Sequence, residues 1–309
     1  MRILVVGSTG YLGGHVAERV RVRSGVRLLT GGRSRAADVP VDLVSGDPGA
    51  LADALRAAAP DAVVNCAGAV GGDPAVLHAV NAAGPAALCE ALRKAAPDAR
   101  LVHLGSAAEY GPGVAGTRVP ESTPVRPASP YGGSKAAGTV AVTCSGLDAV
   151  VLRVGNPVGP GAPATGLPGR VAALLTEAGG HPGAVIRLGD LSAYRDFVDV
   201  RDAAEAAVLA ATATGPLPPV VNIGGGGAVR VRDLVHTLAR IAGFRGRIEE
   251  DADGSARSGE VSWQCSDITT ARDVLGWWPT LSLEDSLTAL WAAGGHRDLG
   301  GPPDGGGPR

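Results

Sequence analysis

Lysine is almost missing from this chain. Of its 28 lysine and arginine residues only two are lysine, Lys94 and Lys135. Aromatic residues make up 3% of the sequence, and the formal net charge is -2. No basic stripe interleaved with aromatics is present, so nucleic acid is not an expected partner. The 4 cysteines, Cys66, Cys89, Cys144 and Cys265, have no CxxC spacing and read as buried, reduced thiols. The 6 histidines form no HxxxH or HxH arrangement, which leaves a metal site without support. No apolar run reads as long enough to span a bilayer, and Ile3-Leu4-Val5-Val6 is too short for a signal-peptide core. A cytoplasmic protein without a membrane partner is therefore expected.

What the chain does have is length for a large core and a regular alternation of strand and helix patterns. The apolar run at residues 2–7 ends in Gly7-Ser8-Thr9-Gly10-Tyr11-Leu12-Gly13, followed by a helical pattern through Val16 and Val20. Strand, glycine-rich turn and helix in that order make a cradle for a pyrophosphate on a helix N-terminus. A second strand runs from Val26 to about Thr30. At its end, where a carboxylate would bind the ribose of NAD, the sequence reads Gly31-Gly32-Arg33-Ser34-Arg35. Two guanidiniums there suit a 2′-phosphate, so NADP(H) is the preferred cofactor and NAD(H) remains possible. Asp47, after a short apolar segment, is a candidate for the adenine edge. Residues 61–68 form a buried strand ending in Ala67 and Gly68, small enough for a cofactor to pass closely.

The stretch that gives the chain its chemistry is Tyr131-Gly132-Gly133-Ser134-Lys135. Ser129 and Pro130 form a helix start, a side-chain cap followed by a ring-fixed first residue. Tyr131 and Lys135 are i and i+4 and leave one face of that helix. A phenol titrates near 10 when free, and a fixed ammonium beside it favours the phenolate. Retaining lysine in a chain that otherwise writes arginine points to a need for a slim ammonium. Ser106 follows the strand 101–104, at the carboxyl edge where parallel sheets bind ligands.

These motifs identify the chain as similar to the extended short-chain dehydrogenase/reductase family of nucleotide-sugar epimerases, dehydratases and reductases. The resemblance rests on GxxGxxG at 7–13, Asn-Cys-Ala-Gly at 65–68, Asn81-Ala-Ala-Gly, Gly-Ser-Ala-Ala-Glu-Tyr-Gly at 105–111 and the Tyr-xxx-Lys pair. Further matches are Arg153-Val-Gly-Asn156-Pro-Val-Gly-Pro, Tyr-Arg195-Asp-Phe-Val-Asp-Val, Asn222-Ile-Gly-Gly, Arg257-Ser-Gly-Glu260-Val and Leu275-Gly-Trp-Trp-Pro. Within the family, residues 188–202 look most like the reductases of GDP-4-keto-6-deoxymannose.

The resemblance implies an α/β fold, a Rossmann doubly wound parallel sheet with a smaller α/β substrate-binding lobe. The dinucleotide-binding domain would span 1–159 with returns from about 193–222, the lobe mainly 160–299, and a disordered tail 300–309. It implies Ser106, Tyr131 and Lys135 as the catalytic residues, with Tyr131 as proton donor and Lys135 on the nicotinamide ribose. Gly7, Thr9, Gly10, Tyr11, Leu12, Gly13, Arg33, Asp47, Ala67 and Gly68 would line the cofactor. Arg195 and Arg257 would hold the diphosphate of a nucleotide sugar, Glu260 the nucleotide ribose, and Asn156 would contact the diphosphate or the sugar. A homodimer is the implied assembly.

Dehydratases of the family carry an Asp-Glu pair after the catalytic hydroxyl, where this chain has Ala107 and Ala108. The expected function is thus an NADPH-dependent ketoreductase of a nucleotide-linked deoxysugar. An epimerase, the same reduction of a non-sugar ketone, and a non-catalytic dinucleotide sensor are the alternatives.

Overall fold

The computed structural model describes residues 1–44, 47–250 and 261–295. In chain order the first half contains β1 (Arg2–Val6), α1 (Tyr11–Val22), β2 (Arg27–Gly32), β3 (Val39–Pro40), α2 (Pro48–Ala58), β4 (Ala62–Asn65), α3 (Pro74–His78), α4 (Gly84–Ala95), β5 (Arg100–Ser106), α5 (Pro130–Thr143) and β6 (Ala149–Val154). The second half contains β7 (Asn156–Val158), α6 (Leu167–Ala178), β8 (Val185–Leu188), β9 (Tyr194–Asp199), α7 (Val200–Thr212), β10 (Val220–Ile223), β11 (Ala228–Arg230), α8 (Val231–Ile241), β12 (Arg247–Glu250), α9 (Thr269–Leu275) and α10 (Leu283–Ala293).

Seven strands form one parallel sheet in the order β10-β6-β5-β4-β1-β2-β3. The strands are buried on both faces, as their unbroken apolar runs require. One face packs against α1 and the alanine-rich α7, through Val16, Val20, Ala203, Ala207 and Ala210. The other packs against α2, α4 and α5, through Leu51, Leu55, Leu88, Leu92 and Val142. The winding reverses between β1 and β4, and such a switch point opens a crevice at the strands' carboxyl ends. This is the doubly wound sheet expected from the sequence.

A second core, built on Leu175, Leu188, Leu234, Leu238, Leu287 and Leu290, lies under α6, α8 and α10. It carries a three-stranded sheet, β11-β9-β7, and the pair β12-β8. The chain enters this part through β7, returns to the large sheet with α7 and β10, and leaves again with β11.

Two expectations are corrected. Helix runs without interruption from Pro74 to Ala95, 22 residues with a hydropathy of 1.3, long and apolar enough on those criteria to cross a bilayer. Half of its most apolar window is buried against the rest of the protein, as a core helix would be. Of the cysteines, Cys89 and Cys265 are buried and Cys66 is half-buried, but Cys144 is exposed at the end of α5. All four are unpaired.

Candidate active site

The crevice at the switch point is shaped by glycine. Gly7 has φ +78°, and a Cβ there would lie 2.8 Å from the backbone N of Ala67. A Cβ on Gly13 would lie 2.1 Å from the Gly7 carbonyl oxygen. The turn therefore closes only without side chains, and it brings β1 and β4 together beside the start of α1. Gly10 is the N-cap of α1 and supplies no side-chain cap, so the first amides of the helix remain open to an anion. Thr9 and Gly10 are exposed on the crevice side of this turn, while Tyr11 and Leu12 are half-buried. A pyrophosphate fits this cradle.

Tyr11 does more than the motif suggested. Its hydroxyl donates to the Gly159 carbonyl at 3.3 Å, and His15 Nε2 lies 2.9 Å from the Pro160 carbonyl. Burial pushes the Tyr11 phenol well up, and Asp199 adds to this, so it stays a neutral donor. The pyrophosphate helix is thereby clasped to the loop after β7.

Arg33 and Arg35 are exposed in the turn after β2 and make no ion pair among the described residues. Asp47 is exposed and caps α2 through the amides of Gly49 at 3.1 Å and Ala50 at 3.3 Å. The structure gives it this local task. Ala67 and Gly68 follow β4, and a Cβ on Gly68 would stand 3.7 Å from Lys135 Nζ.

Ser106, Tyr131 and Lys135, the candidate catalytic residues, are carried by α5 and the end of β5, which pack together. Ser129 caps α5 through the Gly132 amide at 3.1 Å, with Pro130 as first residue, as the sequence predicted. A Cβ on Gly132 would lie 2.5 Å from the Ala108 carbonyl, so the helix start sits directly on the turn after Ser106. Ser106 is buried, and its Oγ accepts the Ala108 amide at 3.2 Å, which leaves the hydroxyl proton free to donate elsewhere. Tyr131 is half-buried one turn before Lys135. Lys135 is 5% exposed, and its ammonium donates to the Leu104 carbonyl at 2.5 Å. Burial pushes Lys135 down to about 8, against the opposing charge of Glu109 and then Cys66. The Cys66 thiol is itself pushed up to about 12 by burial, so it is no nucleophile.

Four buried residues that sequence reasoning did not place in the site support it from behind. Asn81 lies in a π-helical segment, Ala79–Ala83, between α3 and α4. Its side chain donates to Ser134 Oγ at 3.0 Å and to the Ala69 carbonyl at 2.8 Å, and accepts the Ala69 amide at 2.9 Å. A π-bulge is a frequent mark of such positions, but it is invisible in hydrophobic periodicity. His103, fully buried on β5, has Nδ1 3.2 Å from Asn65 Nδ2, and its Nε2 has no hydrogen-bond partner. Burial, and then the Lys135 charge, hold it well below the usual imidazole range. Glu109 and Arg153 form a buried ion pair at 2.8 Å, with the guanidinium 4.5 Å above the Tyr110 ring. The signal for Glu109 was the spacing Ser106-x-x-Glu109, a capping box, which the structure forms.

On β9 Arg195 is 8% exposed, yet the only hydrogen bond of its side chain among the described residues is from Nη1 to the Tyr194 carbonyl at 2.8 Å. Burial pushes its pKa down. The neighbouring carboxylates are engaged elsewhere. Asp196 accepts the amides of Gly225 and Ser266, and Asp199 pairs with Arg201 at 2.8 Å. Asn156 donates to Gln264 Oε1 at 2.8 Å and to the Asp196 carbonyl at 3.2 Å, which ties β7 to β9. Arg257 and Glu260 lie outside the described residues.

Comparison with known proteins gives a consistent picture. Residues 3–224 match the model of the family described as NAD dependent epimerase/dehydratase. The chain is 38% identical over 305 residues to dTDP-6-deoxy-L-talose 4-dehydrogenase (NAD(P)(+)) of Kitasatospora kifunensis, covering 94% of this chain and 95% of that one. It is 31% identical to a UDP-glucose 4-epimerase of Mycolicibacterium smegmatis (93% and 96% covered) and 27% identical to GDP-6-deoxy-D-mannose reductase of Pseudomonas aeruginosa (94% and 95%). Among solved structures, RMD from Pseudomonas aeruginosa complexed with NADPH superposes with a TM-score of 0.81 at 25% identity, covering 94% of this chain and 98% of that one. MoeE5 in complex with UDP-glucuronic acid and NAD gives 0.82 at 27% identity, covering 95% and 99%.

Proposed function

The chain belongs to the NAD dependent epimerase/dehydratase family, and from that premise we propose that it is an NADPH-dependent ketoreductase of a nucleotide-linked keto-deoxysugar. Membership makes it an NAD(P)-dependent oxidoreductase of the nucleotide-sugar class, in which reductases, dehydrogenases and epimerases all occur. Two guanidiniums, Arg33 and Arg35, in place of a carboxylate after β2 favour NADPH and hence net reduction over epimerisation, and a second observation argues against dehydration. The two positions after Ser106 are alanines, and the next residue, Glu109, is fully buried with both oxygens engaged. The turn thus offers no carboxyl pair to remove and return protons on a sugar carbon. Transfer of a hydride to or from a carbinol carbon needs none.

When bound, the cofactor supplies the hydride to the carbonyl carbon. The remaining work falls to this chain's residues. Ser106 donates its hydroxyl proton in a hydrogen bond to the carbonyl oxygen, where negative charge develops. Tyr131 gives that oxygen its proton, so one hydride and one proton complete the alcohol. Lys135 stabilises the phenolate left on Tyr131 and is held in place by the Leu104 carbonyl. Arg33 and Arg35 would take the 2′-phosphate, and Arg195 the substrate diphosphate. The 4-keto-6-deoxyhexose carried by dTDP or GDP is the favoured substrate, because relatives named for 6-deoxytalose and 6-deoxymannose each match over 94% of this chain.

The test is incubation with NADPH and such a 4-keto sugar nucleotide, following loss of reduced cofactor and formation of the deoxysugar. Stoichiometric oxidation is the expected result. Interconversion of a UDP-hexose without net change in cofactor would make the protein an epimerase. Reduction confined to non-sugar ketones would remove the nucleotide sugar.

A further inference from the structure

Glu109 is 0% exposed, a costly position for a carboxylate, and its contacts show where the cost is offset. Oε1 accepts the backbone amide of Ser106 at 2.8 Å. Oε2 accepts Thr139 Oγ1 at 2.8 Å and Arg153 Nε at 2.8 Å. Those three partners lie on β5, α5 and β6. Thr139 is one turn beyond Lys135 and two turns beyond Tyr131 on the same helix. Space for the carboxylate has been left by Gly105, where a Cβ would lie 2.7 Å from Glu109 Oε1. Arg153, the counter-charge, is itself fixed over Tyr110, whose hydroxyl donates to Asn222 Oδ1 at 2.8 Å on β10.

We propose that Glu109 is the positioning residue of the site, a single buried carboxylate that sets the hydroxyl of Ser106 and the helix of Tyr131 and Lys135 at one fixed separation. It touches neither cofactor nor substrate and acts through the groups that do. This rests on the reductase reading above for its kinetic consequence, but not for its structural one. A second effect follows from its charge. The titratable groups that act on the Lys135 ammonium are Cys66 just after β4, His103 from β5 and Glu109 from the turn after β5. Of these, Glu109 does most to hold the ammonium's proton. Geometry and charge are separable, because aspartate keeps the charge and shortens the reach, whereas glutamine keeps the reach and loses the charge.

The chain offers an unusual readout. With only two lysines, lysine labelled at Cε with carbon-13 gives two signals, Lys135 and the exposed Lys94 as internal control. In the full-length protein, Lys135 should titrate near 8. Glu109→Gln should move that midpoint to lower pH by about one unit or more and leave Lys94 unmoved. Glu109→Asp should leave the midpoint within a few tenths of a unit but cut kcat roughly tenfold or more with KM little changed, since small misplacements of reacting groups are costly. Thr139→Val, which cuts only the tether to α5 and keeps the ion pair, should lower kcat by roughly threefold to tenfold with the titration unchanged. It serves as the working variant if Glu109→Gln does not fold.

The proposal is overturned if Glu109→Asp and Thr139→Val both keep kcat within about twofold of the parent. It is equally overturned if Glu109→Gln folds and Lys135 titrates as before. Should the parent reduce no keto sugar, the function proposed above falls, while the lysine titration still decides for or against Glu109.

Discussion

In the proposed reaction Tyr131 and Lys135 have different roles, which substitution should separate. Tyr131→Phe should leave cofactor affinity intact and lower kcat by roughly two to four orders of magnitude, the usual worth of a positioned general acid. Steady-state turnover beside a cofactor titration checks this, and near-normal turnover would remove Tyr131 from the reaction. Lys135 is a group whose folded pKa, about 8, lies below its ordinary value of 10.5. Below pH 8 it is charged in both folded and unfolded chains, and the fold carries the full cost of burying the charge. Between 8 and 10.5 the folded chain has shed a proton that the unfolded chain still holds, so this group's penalty is relieved as pH rises. In the proposed mechanism activity should run the other way, because there the ammonium steadies the phenolate. In the free enzyme, kcat/KM for NADPH should fall above pH about 8. A flat profile to pH 10 would contradict this.

At the scale of elements, the α5 helix is held against the π-helical segment by the absence of a side chain. A Cβ on Gly138 would stand 2.1 Å from the Asn81 carbonyl oxygen. Gly138→Ala should therefore cost about 1–3 kcal/mol in denaturant unfolding, as overpacking does, despite alanine's better helix propensity. It should also slow turnover by moving Tyr131 and Lys135 together. Unchanged stability would mean that the segment yields. The turn after β2 makes a different prediction. Replacing both Arg33 and Arg35 by alanine should weaken NADPH more than NADH, measured as separate dissociation constants. Equal losses would take these residues away from the 2′-phosphate.

The α5 start was legible because Ser129 and Pro130 act within one turn, and the glycine cradle because tight backbone approach admits one residue type. For Glu109 only the capping-box spacing to Ser106 was local; its partners Thr139 and Arg153 are 30 and 44 residues away, and nothing in the sequence links them to it. Asn81 escaped for a related reason. Its reach to Ser134 depends on a one-residue widening of the helix that its own sequence does not announce. Asp47 shows the opposite case, a residue placed by pattern at the cofactor that has a plain capping task in front of it.

At the scale of the molecule, Ser106, Tyr131 and Lys135 belong to the large sheet and its helix α5, and Arg195 to β9 of the three-stranded sheet. Asp196 and Asp199, the carboxylates next to Arg195 in sequence, are both engaged elsewhere. A buried guanidinium held by one carbonyl suits an anionic ligand. Arg195→Ala should raise KM for the nucleotide sugar by about tenfold or more, the worth of a charge-assisted contact, with a smaller effect on NADPH. An unchanged KM would send the diphosphate elsewhere. The returning strand β10 has a consequence of another kind, in the order in which a ribosome makes the chain. β10 pairs with β6, but it is synthesised about 70 residues later, after β7, α6, β8, β9 and α7. At ordinary speeds of translation β6 waits on the order of 3–15 s with an open edge. During that interval the nascent large sheet is one strand short and exposed to pairing with a neighbouring chain, so a pause or a truncation between residues 155 and 219 should favour aggregation over folding.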